Sequence, residues 1–125
     1  MNVESIFGIL TTQGISLEQT SPTSSYACDS RTDSYGNVIP DCIVFTNFGT
    51  ASQTVTLPSP TLPRLIVVCS IDGSLDHVPE ILPHSAEKIN GSSSPFTFAH
   101  SPESVVLHSD GANWWILAQY YSAGA

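Results

Sequence analysis

The densest cluster of groups able to bind or transfer anything lies in "SIDGSLDHVPE", which contains Asp72, Asp76, His77 and Glu80. Oxygen ligands at this spacing suit a hard divalent cation. The D-x-[DN]-x-[DN]-G order of a calcium loop is absent, however, and acids beside Gly73 and Pro79 are expected of any turn. The other histidines, His84, His100 and His108, are scattered rather than clustered. Asp41, Glu87 and Glu103 stand singly, without the paired carboxylates that glycoside hydrolysis requires. No G-x-S-x-G elbow, H-E-x-x-H pair or P-loop occurs. The chain therefore reads as non-enzymatic, with no catalytic residue, no metal and no cofactor expected.

The cysteines give no stronger signal. Cys69 falls in the apolar run "LIVVCSI", where a small buried filler is expected. Cys28 and Cys42 bracket the polar stretch "DSRTDSYGNVIPD" at a spacing that matches no zinc pattern. They are either bridged or free. The start "MNVESIFGIL" lacks a basic region and a small-residue cleavage site, so no secretion signal is expected and free thiols are preferred.

What must position these residues is a set of short strands. β-branched and aromatic runs recur at 42–46, 53–57, 64–71, 95–99, 103–109 and 113–121, with proline or glycine between most of them. This spacing predicts an all-β fold, an antiparallel β-sandwich or jelly-roll-like barrel, because a parallel α/β fold needs helical crossovers for which there is no room. Residues 1–41 are expected to form a less regular N-terminal segment with a polar loop or arm. Residues 42–125 form the β body of what is a single domain overall. Asn90-Gly91-Ser92 is formally a glycosylation sequon and is more simply a turn.

The run "VVLHSDGANWWIL" fixes faces. Asp110-Gly111 predicts a two-residue type I′ turn. That register sets Leu107 beside Trp114 and Val105 beside Ile116 on a purely apolar face, the expected core. The opposite face receives Val106 with Trp115, Ser104 with Leu117, and His108 with Asn113. It is apolar in the middle and polar at its edge, the anatomy of an interface. Trp115 is expected to be covered by another copy of the chain or a different protein. The competing cover is the chain's own N-terminal segment or the 20–41 arm. The candidate interface residues are Trp115, Val106, Leu117 and Tyr121, with Tyr120 a further aromatic platform.

Charge narrows the partners. Arg31, Arg64 and Lys88 are the only strong cations, against eleven acids, for a net charge of −8. Such acidity repels phosphate backbones and anionic lipid, so neither nucleic acid nor a membrane surface is expected as partner. Charged residues are 11% of the chain, where about 25% is ordinary. A low charge content fits an exterior partly given over to interfaces.

The ordered pieces "TVTLP" (54–58), "IDG" (71–73), "ING" (89–91) and "VVLHSDGANW" (105–114) resemble a recurring module of bacteriophage virion proteins, over roughly residues 42–117. The resemblance implies a β-rich structural part of a head-decoration protein, tail fibre or spike, commonly trimeric. With the module forming most of a chain that starts at Met1, it implies a capsid decoration (cement) protein. Such a protein is made in the bacterial cytoplasm and seated on the outer capsid surface, and it joins major capsid protein subunits. The alternative it implies is a tail fibre or receptor-binding module for a host surface glycan or protein.

Overall fold

The computed structural model describes residues 18–72 and 74–121. Among these residues nine strands run in chain order: β1 (Gln19–Thr20), β2 (Tyr26–Ala27), β3 (Ile43–Thr46), β4 (Thr54–Thr56), β5 (Leu65–Ser70), β6 (Glu80–Leu82), β7 (Phe96–Thr97), β8 (Glu103–Ser109) and β9 (Trp114–Tyr121). The only helical element described is a single 3₁₀ turn at Leu75–His77, opened by Ser74 Oγ accepting from Asp76 N–H. No helix among the described residues is long and apolar enough to cross a membrane.

The strands form two open sheets, a five-stranded one in the order β1-β3-β5-β8-β9 and a four-stranded one in the order β2-β4-β6-β7. From β1 to β6 each successive strand joins the other sheet. The pairs β1–β3, β3–β5, β2–β4 and β4–β6 are consequently parallel. The closing pairs β5–β8, β6–β7 and β8–β9 are antiparallel. The protein is thus all-β, as the strand spacing predicts, but its sheets are mixed rather than antiparallel. The expectation failed on one assumption. Parallel neighbours need a long return connection, and here a strand of the opposite sheet makes that return in place of a helix.

Both sheets feed one buried cluster. Val44, Ile66, Val68, Val105, Leu107 and Trp114 come from the five-stranded sheet, and Val55 and Ile81 from the other. Phe48, Leu57, Ile89 and Phe98 fill in from the connections. Trp114 is fully buried and its indole N–H donates to the Pro58 carbonyl at 3.1 Å, so the ring's one polar group is satisfied inside the core.

Two turns are informative. Asn90 and Gly91 both take positive φ (53° and 76°), and Ile89 and Ser92 exchange backbone hydrogen bonds across them. The sequon is a tight turn of the primed kind, whose geometry asparagine and glycine tolerate best. The hairpin turn departs from expectation. Ser109 pairs with Trp114, so residues 110–113 form a four-residue loop instead of a two-residue turn. The cause is the Asp110 carboxylate, which accepts from the N–H groups of Ala112 (2.9 Å) and Asn113 (2.8 Å) and holds the wider loop. The slip is two residues, so Trp114 still faces in and Trp115 out. Partners change, however: Leu107 opposes Ile116, His108 opposes Trp115 and Val106 opposes Ala118, with a bulge between Val106 and Leu107.

Residues 20–41 are more structured than a loop or arm. They supply a strand to the four-stranded sheet and are pinned by a buried carboxylate. Asp41 accepts from the Tyr26 hydroxyl (2.6 Å), the Asp29 N–H (2.8 Å) and Arg31 Nη2 (2.7 Å). Asp29 in turn pairs with Arg64 at 2.6 Å, and Arg64 also donates to the Asp41 carbonyl. Two of the three strong cations of the chain are therefore engaged in one knot that ties this segment to the entrance of β5.

Candidate functional site

The residues able to do chemistry do not converge. His77 Nδ1 lies 3.0 Å from Asp72 Oδ1, an arrangement that closes the 3₁₀ turn together with the Ser74 N–H bond to the same oxygen. The Asp76 and Glu80 side chains are exposed, and Asp76 joins the turn only through its backbone N–H to Ser74 Oγ. Among the described residues, no three side chains of His, Cys, Asp or Glu come together as a metal site. His84 lies 3.9 Å from Glu87 on the surface. His100 Nδ1 lies 3.2 Å from the buried Glu103, and its ring stacks on Tyr121 at 3.7 Å with an interplanar angle of 4°.

All three cysteines are free thiols. Burial pushes the Cys28 thiol up to about 12, with the carboxylates of Asp41 and Asp29 adding to the effect. Burial also raises Cys69. Thiols held in the protonated form are poor nucleophiles and poor metal ligands.

The outer face of the five-stranded sheet is different in kind. Strand register lays its side chains out in rows. Ile43, Val67, Val106 and Ala118 form the first, with Gln19 at its margin. Phe45, Cys69, Ser104 and Tyr120 form the second, and Leu65, His108 and Trp115 the third. Not one Asp, Glu, Lys or Arg occupies these positions. Leu65 (53%), Ile71 (49%), Trp115 (40%), Leu117 (61%) and Tyr120 (74%) are the most open of the apolar side chains here. At one end, Cys69, Pro102, Glu103, Ser104 and Tyr120 line a shallow cavity of about 190 Å³.

This face exists because β5 is apolar on both sides. Ile66, Val68 and Ser70 point into the core, which leaves Leu65, Val67 and Cys69 outside. Trp115 is held in place on it. Its indole N–H donates to Asp110 Oδ2 at 2.8 Å. The Asn113 backbone N–H, then this indole bond, hold the Asp110 carboxyl down at about 2. The loop that sets the hairpin register thus also fixes the rotamer of the outward tryptophan.

The four residues predicted as interface are placed unequally. Trp115 and Val106 share the outer face, though not as a directly opposed pair. Leu117 sits at the bulge, between Ile116 opposite Leu107 and Ala118 opposite Val106. Tyr121 opposes Glu103 and stacks on His100, beside the face instead of within it. The bulge is responsible, since one extra residue reverses the alternation beyond it and brings Tyr120 to the outer side. Ile43, Phe45, Leu65, Val67 and Ile71 were missed as surface residues. For Leu65, Val67 and Ile71 the signal was present in "RLIVVCSI", where both alternate sets are apolar and only one can be core; Ile43 and Phe45, in "CIVFT", alternate with the buried Val44 and Thr46.

No protein-family model matches this chain, and no curated protein matches it.

Proposed function

We propose that the chain is a non-enzymatic structural protein of a bacteriophage particle, a decoration protein that seats on the outside of the head and adds contacts between major capsid protein subunits. In this reading the two sheets are the layers of a sandwich-like body, and the outer face of the five-stranded sheet is the contact surface. The observation that carries it is the largely apolar character of that face, whose row positions across four strands hold no charged side chain, in a chain of net charge −8. A surface of that kind serves association, not catalysis. The "TVTLP…SDGANW" order of motifs supports the particle assignment, and the acidity suits an outer position away from packaged nucleic acid.

Copy number tests the proposal. Purified particles resolved on a gel should show this chain at a band intensity comparable with the major coat protein. Stripped particles should take the purified chain back. Absence from particles sinks the reading. A presence of only a few copies moves the protein to a fibre or receptor-binding role, in which exposed Tyr120 and Trp115 would contact a host surface.

A further inference from the structure

The geometry points to a second copy of this chain as the direct occupant of the outer face of the five-stranded sheet, with β9 at the seam. The inference rests on reading that face as a contact surface. It does not depend on the particle.

Three observations select this occupant. The first is area. The open fractions of Leu65, Ile71, Trp115, Leu117 and Tyr120 amount to roughly 600 Å² before half-buried Phe45, Val67 and Val106 are added, close to the ~800 Å² per partner of a stable interface.

The second is charge. Two copies of net charge −8 repel over most of their surfaces. A self-contact therefore selects a region poor in carboxylates: the positions of the three rows hold none, and Asp110 at their rim is already engaged by the Trp115 indole. A basic partner would instead be drawn to the acidic surfaces elsewhere.

The third is the way the sheet edges are managed. Among the described residues, three of the four edges end in strands of two residues, β1, β2 and β7. Short edge strands are a standard protection against unwanted pairing. The fourth edge, β9, runs for eight residues, "WWILAQYY", with no charge and no proline. The segment 88–90 covers only its beginning: Trp114 N–H donates to the Lys88 carbonyl, Asn90 N–H to the Trp114 carbonyl, and Ile116 N–H to Asn90 Oδ1. Among the described residues no strand lies beside β9 on the side away from β8. Apolar rows and open edge adjoin, so one partner contact covers both. Trp115, fixed by Asp110, is the pre-oriented anchor of that contact, in the manner of an interfacial hot spot.

The test uses the full chain in sedimentation velocity over ~1–100 μM, where interfaces of this size commonly associate. The expected result is a defined oligomer. Trp115→Lys and Val67→Lys should each weaken association at least ~10-fold with unchanged circular dichroism, because both place a charge inside the rows. Leu75→Lys, at an exposed apolar position outside the three rows, should leave the oligomer intact. A wild-type monomer overturns the inference, and iodide quenching of tryptophan emission then says why. A quenchable Trp115 means a face open to solvent, whereas a shielded one assigns the cover to the chain's own residues 1–17 or 122–125. An oligomer that survives both lysines overturns it equally. A monomer that still binds particles refutes the self-contact and leaves the proposed function standing.

Discussion

Replacing Asp41 by alanine probes whether the segment 26–41 is held by the buried carboxylate. The side chain is fully buried and receives three hydrogen bonds, from Tyr26, Asp29 and Arg31, at 2.6, 2.8 and 2.7 Å. Removing one partner of a buried ion pair costs about 3–5 kcal/mol, since what remains is an uncompensated charge and orphaned donors. The low end applies here. The Arg31 side chain is 33% exposed and lies 3.8 Å from Glu18, so it can rehydrate or turn to a second carboxylate. We expect a loss of about 3 kcal/mol, a large share of the ~5–15 kcal/mol that holds a domain together.

Asp41→Asn is the control for shape. Oδ1 serves Arg31 while Oδ2 serves Tyr26 and Asp29, so an amide must turn its N–H₂ toward one set of donors. It should retain part of the network and cost about 1.5–3 kcal/mol. Urea unfolding followed by tryptophan emission reads both variants as a shift of midpoint at constant slope. A loss under ~1 kcal/mol for the alanine variant would show that the donors find water freely, and that the network does not fix this segment.

Three further outcomes are expected. Trp114→Ala should destabilise by about 3–5 kcal/mol, through lost burial, a residual cavity and an unpaired Pro58 carbonyl, measured by the same unfolding curves; a small effect would mean the core collapses around the gap. Asp110 titrates at about 2 in the native protein against an ordinary 3.8, so the folded state binds fewer protons and the contribution is present above pH ~4 and lost as pH falls toward 2. Asp110→Asn should therefore flatten the acid limb of the stability curve between those values, and an unchanged limb refutes the link. Cys28, protonated and buried, should resist iodoacetamide at pH 8 in the native state and react on unfolding, as peptide mapping would record; rapid native labelling contradicts its placement.

The parts of the molecule legible in the sequence are those with a local cause. β3, β4, β5, β7, β8 and β9 all lie within runs of β-branched and aromatic residues, and the fates of Trp114 and Trp115 follow from strand alternation. What sequence patterning missed depends on distant partners. β1, β2 and β6 are short and lie outside the β-branched and aromatic runs, and they exist because a neighbouring strand offers a ladder. The parallel winding is invisible locally, since no residue records which sheet the chain joins next. Asp41 looked like an isolated carboxylate because its partners lie 10 to 15 residues away and its knot closes only through Arg64. The candidate site was half legible for the same reason: the hairpin announced Trp115 and Val106, while the bulge that moves Tyr121 off the face and Tyr120 onto it has no sequence mark.

The distribution of the three strong cations ties the fold to the proposed function. Arg31 and Arg64 are drawn into the Asp41 knot, which leaves Lys88 as the strong cation most open to pair with acids across the rest of the surface. An acidic exterior with so little compensation opposes self-contact wherever carboxylates are present. The same chain lays an uncharged, apolar sheet face beside an unprotected edge strand, two features that a solitary protein would be expected to blunt. Repulsion elsewhere restricts where copies can meet, and the apolar rows supply the attraction at the place that remains. In the proposed self-contact, stability and specificity of assembly are therefore divided between different parts of one molecule. The paired arginines hold the fold without adding positive charge to the contact face, whose row positions carry no charged side chain to be desolvated on association.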